Sequence, residues 1–183
     1  KDEADSRHKN LPTVLAQKYG ADFDVIVVND SSTDSTVDVL QELDVDVVAL
    51  QEVEHHDVEG YDLLDYLAAK TGLTPIAGPN LLRESRHYGN AILTRLPILA
   101  SKPVDLSLPG HEPRGAIDVT LDGNGRRVQV VATHLGLMPG ERRHQVRELL
   151  KLFDIGLTDI YILLGDLNEW FLWGRPLRWL HAH

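Results

Sequence analysis

The sequence predicts a layered α/β fold with a mixed sheet, and three observations carry that expectation. Short apolar runs, such as "DVVAL" and "YILL", are interleaved with stretches whose apolar residues recur at helical spacing. The turn "DGNG", Asp122 to Gly125, lies between two such runs and is a strong hairpin signal, so some neighbouring strands are antiparallel. Other runs are separated by a helix, which calls for crossovers. Hairpins and crossovers together fit a mixed sheet better than a doubly wound parallel one.

Taken in order, the first ten residues, "KDEADSRHKN", are charged and aperiodic and read as disordered. A short helix follows in "LPTVLAQKYG", with Pro12 near its start and Gly20 as its stop. Phe23 to Val28 reads as a buried strand that ends in a loop rich in Asp, Ser and Thr. Val37, Leu40 and Leu43 then fall at helical spacing, with Ser35 or Thr36 as the cap. "VDVVALQEVE" is a second apolar strand, and "YDLLDYLAAKTG" is an amphipathic helix closed by Gly72. Four strands are expected next: "LTPIAG", "GNAILTR", "GAIDVTL" and "RRVQVVATHL". The clearest helix is "GERRHQVRELLKLF", with Val146, Leu149, Leu150 and Phe153 on one side. A last strand, Tyr161 to Leu164, leaves through Gly165 into Asp166, Leu167, Asn168 and Glu169. The tail "FLWGRPLRWLHAH" carries no evident terminator, and no internal repeat is present.

With 183 residues, 43% of them hydrophobic and 25% charged, the chain fits one globular domain spanning 1–183. Lys and Arg number 18 against 28 Asp and Glu, a net charge of −10 that disfavours non-specific wrapping of nucleic acid. It leaves open a metal enzyme acting on phosphate, because a divalent cation supplies positive charge locally. The absence of cysteine excludes disulfides, thiolate metal sites and cysteine nucleophiles. No apolar run is long enough to span a membrane and no signal-peptide pattern is seen, so the expected location is cytoplasmic.

Chemistry is expected where three strands end in polar clusters. Val47 to Leu50 runs into Gln51 and Glu52, Val128 to Ala132 into Thr133 and His134, and Tyr161 to Leu164 into Asp166 and Asn168. One carboxylate can hold a hard cation through oxygen, and a second can accept a proton from water. His and Asn can donate to phosphate oxygens as their charge grows. Each residue also has a plainer reading: Glu52 as a solvated strand end, His134 as a structural histidine, Asp166 and Asn168 as an Asx turn. Recurrence at three strand ends favours a site for metal-assisted phosphoester hydrolysis.

The segments "DVVALQEVE", "YGNAILTRLPI", "EPRGAIDV", "VVATHLGL", "ERRHQVREL" and "LLGDLNEW" resemble, in that order, the endonuclease/exonuclease/phosphatase family of Mg²⁺-dependent phosphoesterases. The resemblance covers about 39–183. It implies a four-layer α-β-β-α sandwich, a Mg²⁺ cofactor with Mn²⁺ as substitute, and hydrolysis of a phosphodiester or phosphomonoester by in-line attack of water. By this resemblance Glu52 is the metal ligand. His134 contacts the scissile phosphate, Asp166 orients or deprotonates the attacking water, and Asn168 binds a phosphate oxygen. Asn90 and Arg114 fall in the family's strand motifs, as phosphate-side residues or as buried anchors of the site's wall, and "ERRHQ" is a helix start packed beside the site. The implied substrates are a small phosphodiester, a lipid headgroup or nucleic acid, and the lack of a large basic cluster favours the smaller ones.

Two departures qualify the resemblance. Where the family's first strand ends in a Tyr-Asn-like pair, this chain has "VIVVNDSSTDST", in which Asn29 stands in. Residues 10–36 form an atypical N-terminal segment that is similar to the start of a family 2 glycosyltransferase, which binds a nucleotide-sugar; the "DVD" at Asp44 to Asp46 reads as strand rather than as that family's metal motif. The second departure is that the family's last strands and their Asp-His element have no counterpart before His183. The expectation is therefore a sandwich incomplete at the C-terminus, with a long exposed sheet edge open to a partner chain or to self-association. The alternatives to an active hydrolase are an inactive or partner-completed module of the same fold, or a glycosyltransferase fragment.

Overall fold

The structure, a computed structural model, describes residues 25–27, 45–56, 63–83, 86–153, 157–169 and 174–182. The helices expected at 11–20 and around Val37 to Leu43, the first ten residues and Asn29 lie outside these. The described elements are β1 (Val25–Val27), β2 (Val47–His56), α1 (Leu63–Thr71), β3 (Thr74–Arg83), β4 (Arg86–Thr94), β5 (Ile98–Asp105), β6 (Gly115–Gly123), β7 (Arg126–His134), α2 (Pro139–Leu150), β8 (Ile160–Asp166) and α3 (Arg175–Ala182).

The strands form two four-stranded sheets, ordered β1-β2-β4-β3 and β5-β6-β7-β8. β1 pairs with β2, and β7 with β8, in parallel, while the other pairs are antiparallel. Both sheets are thus mixed, as expected from hairpins and crossovers in one chain.

Side chains alternate across each strand and so sort into separate cores. Val47 and Ala49 of β2 turn inward with Ile92, Ile117, Val119, Val130 and Ala132, filling the space between the sheets. Their neighbours Val48 and Leu50 turn outward onto Leu64 and Leu67 of α1. On the other sheet, Ala116 and Val131 turn outward onto Val146 and Leu149 of α2, with Trp179 and Leu180 of α3 packed alongside. The order helix, sheet, sheet, helices is a four-layer sandwich. Each fully buried Val or Leu stabilises it by about 1.5–3 kcal/mol.

The "DGNG" hairpin forms as expected. Gly123 pairs with Arg126 across a two-residue turn in which Asn124 (φ 56°) and Gly125 (φ 84°) are both left-handed. In α2, Val146 and Leu149 are fully buried, and Leu150 and Phe153 pack on the same cluster. Two elements were not expected. β5 is an edge strand, exposed along most of its length, so it lacks apolar alternation, and it tolerates Pro103 for the same reason. α3 forms in the tail, where the Arg147 guanidinium lies 4.7 Å from the centre of the Trp179 ring. β8 is the other edge of its sheet among the described residues.

Gly165 pairs with Thr133 at φ 134°, and a Cβ there would overlap the Thr133 carbonyl oxygen. Gly165→Ala is expected to cost about 2–4 kcal/mol, through strain plus backbone displacement, read as a lower urea midpoint. A variant with the parent midpoint would show that β8 can approach β7 without this glycine.

Candidate active site

Three strands bring the candidate residues together, in two different ways. His134 ends β7 and Asp166 ends β8; because these strands are parallel and in register, the two residues are direct neighbours. The Leu135 amide then donates to the Asp166 carbonyl at 2.9 Å, extending the pairing one step beyond the sheet. Glu52 belongs to the other sheet. It was expected at the end of a strand, but β2 continues to His56, and the register slips between Leu50 and Val53 so that Gln51 and Glu52 oppose Asn90 alone. This β-bulge, with Glu52 at φ 54°, turns its side chain out of the ladder. Asn168 is also left-handed, at φ 49°. The described non-glycine residues with positive φ are these two and the hairpin's Asn124, so backbone strain gathers at the candidate site.

The His134 ring sits between two carboxylates. Nδ1 lies 3.5 Å from Glu52 Oε1, and Nε2 lies 3.8 Å from Asp166 Oδ2. Arg114 Nη1 also lies 3.5 Å from Nδ1, and its Nη2 donates to Glu112 Oε2 at 3.0 Å. A guanidinium can only donate and so favours a lone pair at Nδ1, whereas the Glu52 carboxylate at the same distance favours a proton there. The ring's spacings to the carboxylates exceed hydrogen-bond length.

The neighbours of the ring are held firmly. Asp166 Oδ1 accepts the Asn168 amide at 2.8 Å, which leaves Oδ2 as the oxygen facing the ring. The Asn168 side chain, expected to be free for phosphate, donates through Nδ2 to the Leu135 carbonyl at 2.6 Å, so one of its two N–H groups is committed. Asn90 is buried and donates to the Gly115 carbonyl at 2.9 Å, an oxygen that also accepts from Thr133. It occupies the anchoring role, joining the two sheets beneath the site. Arg114 is largely buried beside the ring, and its Nε has no hydrogen-bond partner among the described residues. Glu112, not singled out from the sequence although it opens "EPRGAIDV", holds the Arg114 guanidinium.

Glu169, next after Asn168, carries no signal of a partner in the sequence. It is instead buried in an ion pair with Arg142 of α2, at 3.5 Å. "ERRHQ" does begin a helix packed beside the site, as expected.

Among the described residues around the ring, the carboxylates of Glu52, Asp166 and Glu112 outnumber the guanidinium of Arg114. Such an excess of carboxylates could hold a cation. No group of three or more His, Asp or Glu side chains among the described residues is arranged to enclose one. Glu52, 54% exposed, offers a hard oxygen donor with open sides, which suits a hydrated ion that keeps several waters.

Comparison with known proteins bears on the family and the fold. The sequence profile of the Endonuclease/Exonuclease/phosphatase family matches residues 28–182. The chain belongs to that family. It is 30% identical over 149 residues to the uncharacterized protein YbhP of Escherichia coli (strain K12), an alignment covering 73% of this chain and 57% of YbhP. The chain thus spans a little over half the length of that relative. Among solved structures, an endonuclease/exonuclease/phosphatase from Beutenbergia cavernae DSM 12333 superposes with a TM-score of 0.61 at 25% identity, over 73% of this chain and 41% of that one. A family protein from Leptotrichia buccalis C-1013-b gives 0.65 at 15% identity, over 86% and 72%. The latter likeness supports the fold alone. No helix among the described residues is long and apolar enough to cross a membrane.

Burial lowers the His134 pKa below its ordinary 6.5 and Arg114 lowers it further, against Asp166, Glu52 and Glu112, which raise it. Between the folded value and 6.5 the unfolded chain therefore binds more protons than the folded one, and stability falls as pH drops through that window. Urea midpoints of the parent should fall as pH is lowered from 7 towards 5, and His134→Gln should flatten that slope. An equal slope in both would show that this histidine is not the responsible group.

Proposed function

We propose that this chain carries the site of a phosphoesterase that hydrolyses a phosphodiester or phosphomonoester by in-line attack of water. The observation that supports it best is the His134 ring set between Asp166 and Glu52, with Arg114 against the same ring. A neutral imidazole, a free carboxylate oxygen and fixed donors on one small surface match what an anionic, pentavalent transition state requires.

Asp166 Oδ2 aligns the attacking water and accepts its proton, because Oδ1 is already taken by the Asn168 amide. The new oxygen–phosphorus bond forms as the bond to the leaving oxygen breaks, and the leaving oxygen takes a proton from solvent. The His134 N–H and the second N–H of Asn168 meet the phosphoryl oxygens as their charge grows. Arg114 keeps the imidazole in place and adds positive charge behind it. Glu52 would hold Mg²⁺, or Mn²⁺ in its stead, with waters and substrate oxygen completing the shell; when bound, the ion supplies positive charge to the phosphoryl group.

The net charge of −10 favours small phosphoesters or a phospholipid headgroup over long nucleic acid, whose binding relies on clustered Lys and Arg. Asn29, outside the described residues, remains the proposed stand-in for the family's first-strand asparagine.

Hydrolysis of bis(p-nitrophenyl) phosphate with Mg²⁺ tests the reading. Asp166→Ala is expected to lower kcat by about 10²–10⁴-fold with an unchanged far-UV spectrum. Parent-like turnover by that variant would remove Asp166 from its role. Glu52→Gln should raise the Mg²⁺ concentration needed for half-maximal rate, and activity unaffected by chelator would refute the metal assignment.

A further inference from the structure

We infer that Arg142, paired with Glu169, is a positioning residue that sets His134 against Asp166 and Asn168. This rests on the phosphoesterase reading above. Arg142 lies on the first turn of α2, and its side chain reaches the two segments that leave the site. Through Nη1 it donates to the carbonyls of Gly136 and Leu137, in the segment that follows His134. Its Nε lies 3.5 Å from Glu169 Oε2, in the segment that follows Asp166 and Asn168, an ion pair in which that Nε makes no hydrogen bond among the described residues. One guanidinium therefore spans both strand exits.

The arrangement is built rather than incidental. The Arg142 and Glu169 side chains are each only 5% exposed. A Cβ on Gly174 would lie 2.6 and 2.8 Å from the two carboxylate oxygens of Glu169, so a side chain at 174 would expel that carboxylate. The segment after His134 is held from α2 at two further points. The Gly136 amide donates to Gln145 Oε1 at 2.8 Å, and the Met138 amide donates to Glu141 Oε2 at 3.4 Å. A Cβ on Gly136 would overlap the Glu141 carboxylate, so this glycine too makes room for an acid. Buried ion pairs are weak devices for stability, since apolar replacements often match them. What this pair does that apolar packing cannot is hold two carbonyls by hydrogen bonds and a carboxylate by charge from one point.

The strand exits also hold each other. The Leu135 amide donates to the Asp166 carbonyl, and the Asn168 amide to Asp166 Oδ1. These two amides report the geometry that the clamp maintains, with or without turnover. The experiment uses Arg142→Lys, Glu169→Gln and Gly174→Ala, with Lys151→Ala on the exposed end of α2 as control. Hydrogen exchange at Leu135 and Asn168, followed by NMR, should accelerate at least about tenfold in all three variants, while exchange at Val119 and Val130 stays at the parent rate. kcat for the phosphodiester should fall at least about tenfold with KM within about twofold, because misplacement of about 1 Å is enough for larger losses. Gly174→Ala is the decisive variant, since it leaves both charges in the chain. Parent exchange and kcat in Gly174→Ala and Glu169→Gln would overturn the inference, as would losses that only follow a lowered urea midpoint at every amide alike. A parent chain inactive on every phosphodiester would refute the phosphoesterase reading, and the exchange rates would still decide the clamp.

Discussion

The parallel pairing of β7 with β8 is the constraint on which the site depends. Parallel strands end on the same side, and their register makes His134 and Asp166 neighbours without any loop having to place them. Parallel neighbours also need a crossover, and here the crossover includes α2. The helix that the topology demands is thus delivered to the strand exits, with Glu141, Arg142 and Gln145 on its first two turns. Close pairing requires Gly165, whose missing Cβ lets the Thr133 carbonyl approach. A glycine, a crossover and an ion pair serve one register.

Much of this was legible in the sequence because it is written locally. Apolar runs of strand length, the Asn124-Gly125 turn and the Val146 and Leu149 face of α2 each follow from nearest-neighbour rules. The order of the polar strand ends marked Glu52, His134, Asp166 and Asn168. β5 escaped because an edge strand facing solvent needs no apolar alternation. α3 escaped because its support is tertiary: Trp179 lies under Arg147, 32 residues earlier in the chain by their numbers.

What the sequence hid about the site is of the same kind. A bulge is a relation between two strands, so nothing in "LQEVE" says that Glu52 leaves the ladder rather than ending it. Asn168 carries a recognisable side chain, yet its bond to the Leu135 carbonyl depends on a residue 33 positions away. Glu169 sits between an asparagine and a tryptophan and reads as surface, and the approach of α2 gives it a buried partner in Arg142. Charge was the more readable level: the carboxylates at the strand ends of this acidic chain are visible before any coordinate is known.

Glu52 is carried by one sheet, and His134 and Asp166 by the other. The candidate site is therefore a seam, and the Asn90 side chain bonded to the Gly115 carbonyl is the stitch directly under it. Sliding one sheet over the other changes the Glu52-to-His134 spacing while leaving the His134-to-Asp166 spacing almost untouched. Side-chain volume in the inter-sheet core, at residues such as Ile92 and Ile117, thereby becomes a tuning screw for the spacing between Glu52 and His134.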